Sequence, residues 1–336
     1  MKSLTCVAPG QFEYREVAAP EKLVGHTILK IRQVGICGTD IHAFEGTQPF
    51  FEYPRVLGHE IAAEIVDTAA DGFVEGDAVT VIPYLSCGHC IACRRGATNC
   101  CENIAVCGVH VDGAMADYFR VPDTNLIHGH GLAADQLALI EPLAIGAHGV
   151  RRANVEPGEF VLVVGAGPIG LGTMEFARIA GGEVIALDVN AERLAFCKDR
   201  LAIPYTVNAA QDDVAAVLRD ITHGDMPTVV IDCTGSLRAI NQSFDYLAHS
   251  GRYVLIGLQK GAIQMSHPAF HKREGTLMSS RNATKADFDQ VVASLKKGLI
   301  DPTAYITHRI PFEQVGDRFT TLLRPDSGVI KAMIMY

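Results

Sequence analysis

The stretch VLVVGAGPIGLG, residues 161–172, runs an apolar segment into glycines spaced Gly165-x-Gly167-x-x-Gly170. An unbroken apolar run predicts a strand buried on both faces. The glycines after it stand at the mouth of a helix and answer three needs. Gly165 permits a tight turn, Gly167 lets the backbone approach a pyrophosphate, and Gly170 allows close helix–strand packing. Free N–H groups at the helix start supply positive potential for phosphates. The next strand, EVIALDV, carries Asp188 near its end, eighteen residues past Gly170. A carboxylate there accepts both ribose hydroxyls of NAD and repels a 2′-phosphate. Arg193, five residues on, is of the type that accepts such a phosphate, so NADP stays open and NAD is the expectation.

Working outward, the segments alternate from about residue 143. The strand EFVLVVGAG is followed by the helical PIGLGTMEFARIAGG, the strand EVIALDV and the helical NAERLAFCKDRLA; TVVIDCTG, INQSFDYLAH and GRYVLIGL continue the alternation. This pattern predicts a parallel sheet covered by helices. The first 140 residues differ, with short β-like runs (HTILKIRQVGI, EIAAEIVDTA, GDAVTVIPYL, MADYFRVP) bounded by Gly, Pro or Asp. After Arg281 the texture is mixed again, with a helix around ADFDQVVASLKKG and a terminal strand GVIKAMIMY. The expected fold is α/β, a doubly wound domain over 147–281 inserted into a β-rich domain made of 1–146 and 282–336.

The length of 336 residues exceeds one ordinary core, and 48% hydrophobic with 20% charged residues is usual for a soluble globular chain. A net charge of −9 argues against nucleic acid or an anionic membrane as partner. The N-terminal residues lack the apolar run of a signal peptide, and no stretch approaches a membrane span. A cytoplasmic location with reduced thiols is expected, which favours metal over disulfides.

That matters for LSCGHCIACRRGATNCC, residues 85–101, which holds five of the ten cysteines. Cys87, Cys90, Cys93 and Cys101 read as C-x2-C-x2-C-x7-C, a spacing that wraps one tetrahedral zinc and leaves no position for water. Such a site, in a lobe over 85–102, is structural; Arg94 and Arg95 moderate its negative charge, and Cys100 adjoins Cys101 as a competitor for the fourth place. Cys6, Cys107, Cys197 and Cys233 read as small core residues. A second set is dispersed: Cys37 in GICGTDIH, His59 and Glu60 in LGHEI, Glu141 in LIEPLA. One thiolate, one imidazole and one carboxylate would leave a fourth position open, as catalytic zinc requires. Asp40 is placed to orient a ligand imidazole.

The order CGTDIH, LGHE, four-cysteine lobe, EPL, GAGPIG and terminal Asp resembles, over essentially the whole chain, the zinc-dependent medium-chain alcohol and polyol dehydrogenases. The resemblance implies a GroES-like catalytic domain carrying two zincs and an inserted Rossmann domain. It implies Cys37, His59 and Glu141 as catalytic zinc ligands, with Glu60 as an alternating or water-linked neighbour. Thr39 and His42 match the proton-relay positions. The cofactor site then extends to Pro168, Ile169, Thr234, Gly257, Leu258 and Arg281. Ala63 departs from the family's usual glycine and is expected to shift the local backbone. The loops QPFFEYPRVLGHE, NCCENIAVCGVHVDG, FHKREGTLMSSRNAT and ITHRIPF resemble sugar-acid dehydrogenases of the L-galactonate 5-dehydrogenase type. The implied reaction is oxidation of a secondary alcohol, with hydride passing to NAD and the proton leaving through Thr39 and the cofactor ribose toward His42. For an aldonate, Arg281, Asn282 and His110 are the candidate partners of the carboxylate. A neutral polyol or threonine dehydrogenase shares the catalytic residues, and a noncatalytic zinc- or nucleotide-binding sensor is the distant alternative. A homodimer or homotetramer is expected.

Overall fold

The computed structural model describes residues 1–49, 51–324 and 326–336; Phe50, within one of the resembling loops, lies outside them. The chain divides into two compact units, Met1–Glu141 with Thr284–Tyr336, and Pro142–Ala283. The expected boundary at 146/147 falls in the middle of the helix Ile140–Ala153, whereas the first division lies at Glu141, in the first turn of that helix. The second falls two residues after 281/282, just ahead of the helix Lys285–Lys296.

The first unit is built on a seven-stranded sheet. Its order is Leu126–His128, Ala78–Val81, Glu60–Asp67, His26–Ile36, Lys331–Met335 and Ile306–Pro311, with Tyr118–Pro122 also pairing to His26–Ile36. The central strand HTILKIRQVGI matches its expected span; it alternates as far as Arg32, with Leu29 and Ile31 entering the core, and after a register shift its last four residues, Val34 among them, are all buried. The terminal strand pairs antiparallel to it, Ala332 opposite Ile36 and Ile334 opposite Val34, which joins the two sequence segments of this unit in one sheet. Ala63 sits buried opposite Ile31 and Val79, and the ladder to the central strand shifts register between Ile31 and Gln33, beside it.

The second unit is a six-stranded parallel sheet ordered Tyr205–Asn208, Glu183–Asp188, Phe160–Val164, Val229–Asp232, Arg252–Leu255 and Thr276–Ser279. Counting from Phe160–Val164 the order is 3-2-1-4-5-6, the doubly wound arrangement. Val161 to Val164 are each at most 3% exposed, as the apolar run predicted. The helix Pro168–Ile179 begins where expected, with proline in its first turn, where no N–H is needed. The strand Thr276–Ser279 was not foreseen: TLMS is short and largely exposed at the sheet edge, so it carries little hydrophobic pattern. Among the described residues no helix is long and apolar enough to cross a membrane.

Candidate functional site

Cys37 follows the central strand and N-caps the helix Gly38–Phe44, while His59 immediately precedes the strand Glu60–Asp67. Those strands pair with Gly35 opposite Glu60, so the ladder brings Cys37 and His59 to one end of the sheet. The turn before His59 depends on Gly58 at φ +95°, where a Cβ would lie 2.8 Å from Val34 Cγ1. Asp40 ties the two turns together. Its fully buried carboxylate accepts the Cys37 N–H at 2.8 Å and the Gly58 N–H at 3.1 Å. It was expected to orient the imidazole, yet its Oδ1 lies 3.8 Å from His59 Nδ1, beyond a hydrogen bond.

Ligand atoms of Cys37, His59 and Glu60 lie within 4.8 Å of one another, and Glu141 stands outside that set. Glu141 occupies the first turn of Ile140–Ala153, is 4% exposed and accepts a hydrogen bond from the Tyr84 hydroxyl. Glu60 is wholly buried, and Lys331, 2% exposed, donates to both of its oxygens, at 2.5 and 2.7 Å.

The electrostatics follow from this crowding. Burial raises the Asp40 pKa against the pull of His59, and burial with Glu60 nearby raises that of Glu141. Burial disfavours a charged His59, but Asp40, Cys37 and Glu141 together hold its pKa well above the usual value. Burial and the Glu141 carboxylate push the Tyr84 phenol well above its ordinary range. The carboxyls of Asp40, Glu60 and Glu141 and the Cys37 thiol thus gather around the buried His59 imidazole, with Lys331 paired to Glu60, a concentration of metal-binding donors at one place. Among the described residues the buried His59 Nδ1 has no hydrogen-bond partner. Sulfur, imidazole and carboxylate together form a donor set suited to zinc.

In the lobe, Cys90 caps the short helix Ile91–Arg94 with its sulfur, and Cys100 ends the turn Thr98–Cys100, so Cys101 follows directly. The four expected thiols gather: Cys87, Cys90, Cys93 and Cys101 lie within 4.8 Å of one another, and Cys90 Sγ is 3.4 Å from Cys93 Sγ. The Cys87 N–H also donates to Cys101 Sγ at 3.2 Å. Backbone N–H groups of His89 and Cys90 lower the Cys87 thiol to about 6, while burial and the neighbouring sulfurs raise Cys93 to about 11. Cys100 is exposed and outside the cluster. Cys6, Cys107 and Cys197 are buried and burial pushes their thiols up, to about 11, 12 and 12; Cys233 is only partly covered.

In the second unit Gly165 has φ +100°, and a Cβ on Gly170 would lie 1.8 Å from the Gly165 carbonyl oxygen. At Gly167 a Cβ would meet nothing nearer than Arg193 Nη1 at 3.9 Å, so the loop face is left clear, with a guanidinium at its rim. That open glycine loop, the helix start at Pro168–Ile169 and an acid at the next strand's end fit a dinucleotide. Asp188 accepts the Ala166 N–H at 2.6 Å and the Asn190 N–H at 2.8 Å, which fixes its carboxylate against the loop. Thr234 donates to Asp232 at 2.6 Å, and a Cβ on Gly257 would lie 2.1 Å from the Gly235 nitrogen; Leu258 is 67% exposed.

Thr39 and His42 share one face of the helix Gly38–Phe44, three residues apart, and His42 is exposed, its Nδ1 3.2 Å from Thr47 Oγ1. Arg281 is exposed just past the strand Thr276–Ser279, and Asn282 beside it has φ +53°. His110 Nδ1 accepts the Val106 N–H at 3.1 Å, so one of its nitrogens serves a turn. Sequence reasoning overlooked Lys331, Tyr84 and Asp232. Each contacts a residue distant in the chain or closes a turn through its backbone, and an isolated Lys, Tyr or Asp carries no motif.

Comparison with known proteins places residues 24–130 in the alcohol dehydrogenase GroES-like domain family and residues 168–297 in the zinc-binding dehydrogenase family. The chain is 43% identical to L-galactonate-5-dehydrogenase of Escherichia coli K12 over 338 residues, covering 100% of this chain and 99% of that one. It is 31% identical to 2-dehydro-3-deoxy-L-galactonate 5-dehydrogenase of Pseudoalteromonas atlantica, covering 92% and 91%. Among solved structures, an alcohol dehydrogenase (rspB) of E. coli CFT073 complexed with NADH superposes with a TM-score of 0.93 at 30% identity, covering 100% and 99%.

Proposed function

The chain belongs to the zinc-dependent medium-chain alcohol dehydrogenases, in their sugar-acid and polyol class, and on that premise we propose that it oxidises a secondary hydroxyl of an aldonate, such as L-galactonate, to a ketone with NAD. The observation that carries the substrate is the full-length similarity to L-galactonate-5-dehydrogenase. Cys37, His59 and Glu141 hold the catalytic metal, Glu60 stands beside them, and Cys87, Cys90, Cys93 and Cys101 hold a structural one. A zinc held there would supply Lewis acidity toward the substrate hydroxyl, and NAD on the glycine loop would supply the hydride acceptor. Asp40 fixes the Cys37 and Gly58 turns, so the thiol and imidazole need no rearrangement when metal arrives. Thr39 accepts the substrate proton as it gives up its own toward His42, which, at the exposed end of the same helix face, releases a proton to water. Asp188, already held by two backbone N–H groups, keeps a lone pair on each oxygen for the ribose hydroxyls. Arg281 meets the substrate carboxylate, with Asn282 and His110 as weaker candidates. The subunits form a homodimer or homotetramer.

The test is NADH formation, followed by its absorbance, with a panel of aldonates, neutral polyols and threonine. The expected result is the highest kcat/KM with an aldonate. A clear preference for sorbitol or threonine would reject the sugar-acid reading and leave the dehydrogenase assignment standing.

A further inference from the structure

Lys331 lies in the terminal strand, one residue before Ala332, which pairs with Ile36. This places its side chain beside the strand end that leads to Cys37. All three ammonium hydrogens are used, by Glu60 Oε1 at 2.5 Å, Glu60 Oε2 at 2.7 Å and the Ile36 carbonyl at 3.2 Å. A buried ammonium with every donor satisfied is a built arrangement, since a buried charge lacking such partners is costly. The carboxylate it grips has a prepared seat. Gly35 stands opposite Glu60 in the ladder, and a Cβ there would lie 1.9 Å from Glu60 Oε2. Any residue other than glycine would therefore push Glu60 out of Lys331's grip.

The same carboxylate lies within 4.8 Å of the ligand atoms of Cys37 and His59. Lys331 and a metal thus compete for one set of lone pairs. A catalytic zinc works with three protein ligands and one exchangeable position, and a fourth protein ligand closes the site. Resting on the assignment of Cys37, His59 and Glu141 as ligands, we propose that Lys331 is a positioning residue. It holds Glu60 off the metal and so reserves the fourth position for the substrate hydroxyl.

The experiment compares wild type, Lys331→Met and the double variant Glu60→Gln/Lys331→Met. Zinc is kept in the lobe and cobalt is exchanged into the dispersed site. Two quantities are read: the affinity for added imidazole, from the visible cobalt spectrum, and the rate of cobalt loss to a chelator. Freed from Lys331, Glu60 should fill the open position. Lys331→Met should then bind imidazole about tenfold more weakly and release cobalt about tenfold more slowly, the scale of effects seen for groups behind metal ligands. The double variant should return both values to those of wild type. Unchanged values in Lys331→Met, faster cobalt loss, or an effect that persists in the double variant would overturn the proposal. If Lys331→Met does not fold, Lys331→Gln, which keeps a polar group in the seat, carries the same comparison. Wild type whose cobalt spectrum ignores imidazole would instead refute the open metal site itself.

Discussion

The two cysteine-bearing sites of the first unit are assembled in opposite ways. The lobe takes four thiols from fifteen consecutive residues, 87–101, and closes them with its own turns and N–H groups. The dispersed set draws Cys37 from one strand end, His59 from the residue just before a paired strand, Glu60 from that strand and Lys331 from the chain's last strand, with Glu141 on a helix start outside the closest group. One is a local folding event. The other exists only once the sheet is complete. Removing a residue from the first should therefore injure the fold, and from the second the chemistry.

The largest effect is expected for Glu141→Ala. Groups that merely support a ligand are worth roughly ten- to a hundredfold, so loss of the ligand should lower kcat/KM by more than about a hundredfold. Zinc measured by atomic emission should fall from two per chain to near one while the melting temperature changes little. Full zinc content with full activity would remove Glu141 from the ligand set, and Glu60 would then take its place.

Cys93→Ser should do the reverse. Lobe zinc is lost, and the melting temperature drops by about 5 °C or more, because a structural metal contributes directly to folding. The protein that remains folded should keep a kcat near that of wild type. If kcat collapses with the fold intact, the two sites are not independent.

Within this contrast, legibility in the sequence follows the same division. The gathering of the four lobe thiols is readable from spacing alone, because the loop needs no other part of the molecule to bring them together. The glycine loop and Asp188 are readable for a related reason: a strand, a turn and a helix are consecutive, and each glycine answers a local demand. Cys37, His59 and Glu141 are not readable from spacing; they emerge from the family order of motifs. Lys331 is less legible still. In GVIKAMIMY it resembles any strand lysine, and its role depends on Ala332 pairing with Ile36 almost three hundred residues away. Tyr84 is hidden likewise, since only the fold turns its hydroxyl toward Glu141.

Two smaller effects test the parts that bind organic groups. Arg281→Ala should reduce kcat/KM for an aldonate by roughly ten- to a hundredfold, the range of a charge-assisted contact, and a neutral polyol of equal length should lose much less. Equal losses would assign Arg281 to the cofactor or the scaffold. Asp188→Ala should narrow the preference for NAD over NADP by about tenfold, as the carboxylate that repels a 2′-phosphate is gone. Wild type that turns over NADP as well as NAD would mean that Arg193, at the rim of the loop, dominates the pocket.

The pairing of Gly35 with Glu60 carries one more implication, for how the chain avoids misfolding. Side chains alternate between faces with a period of two, so a slip of one residue would turn Glu60 to the opposite face. It would also carry His59 about 3.3 Å along the strand, away from Cys37. The glycine adds a steric veto, because after such a slip Glu60 would face Val34 or Ile36, whose side chains fill the space that Gly35 leaves. A misaligned pairing would thus lose the grouping of Cys37, His59 and Glu60 donor atoms that the observed register assembles.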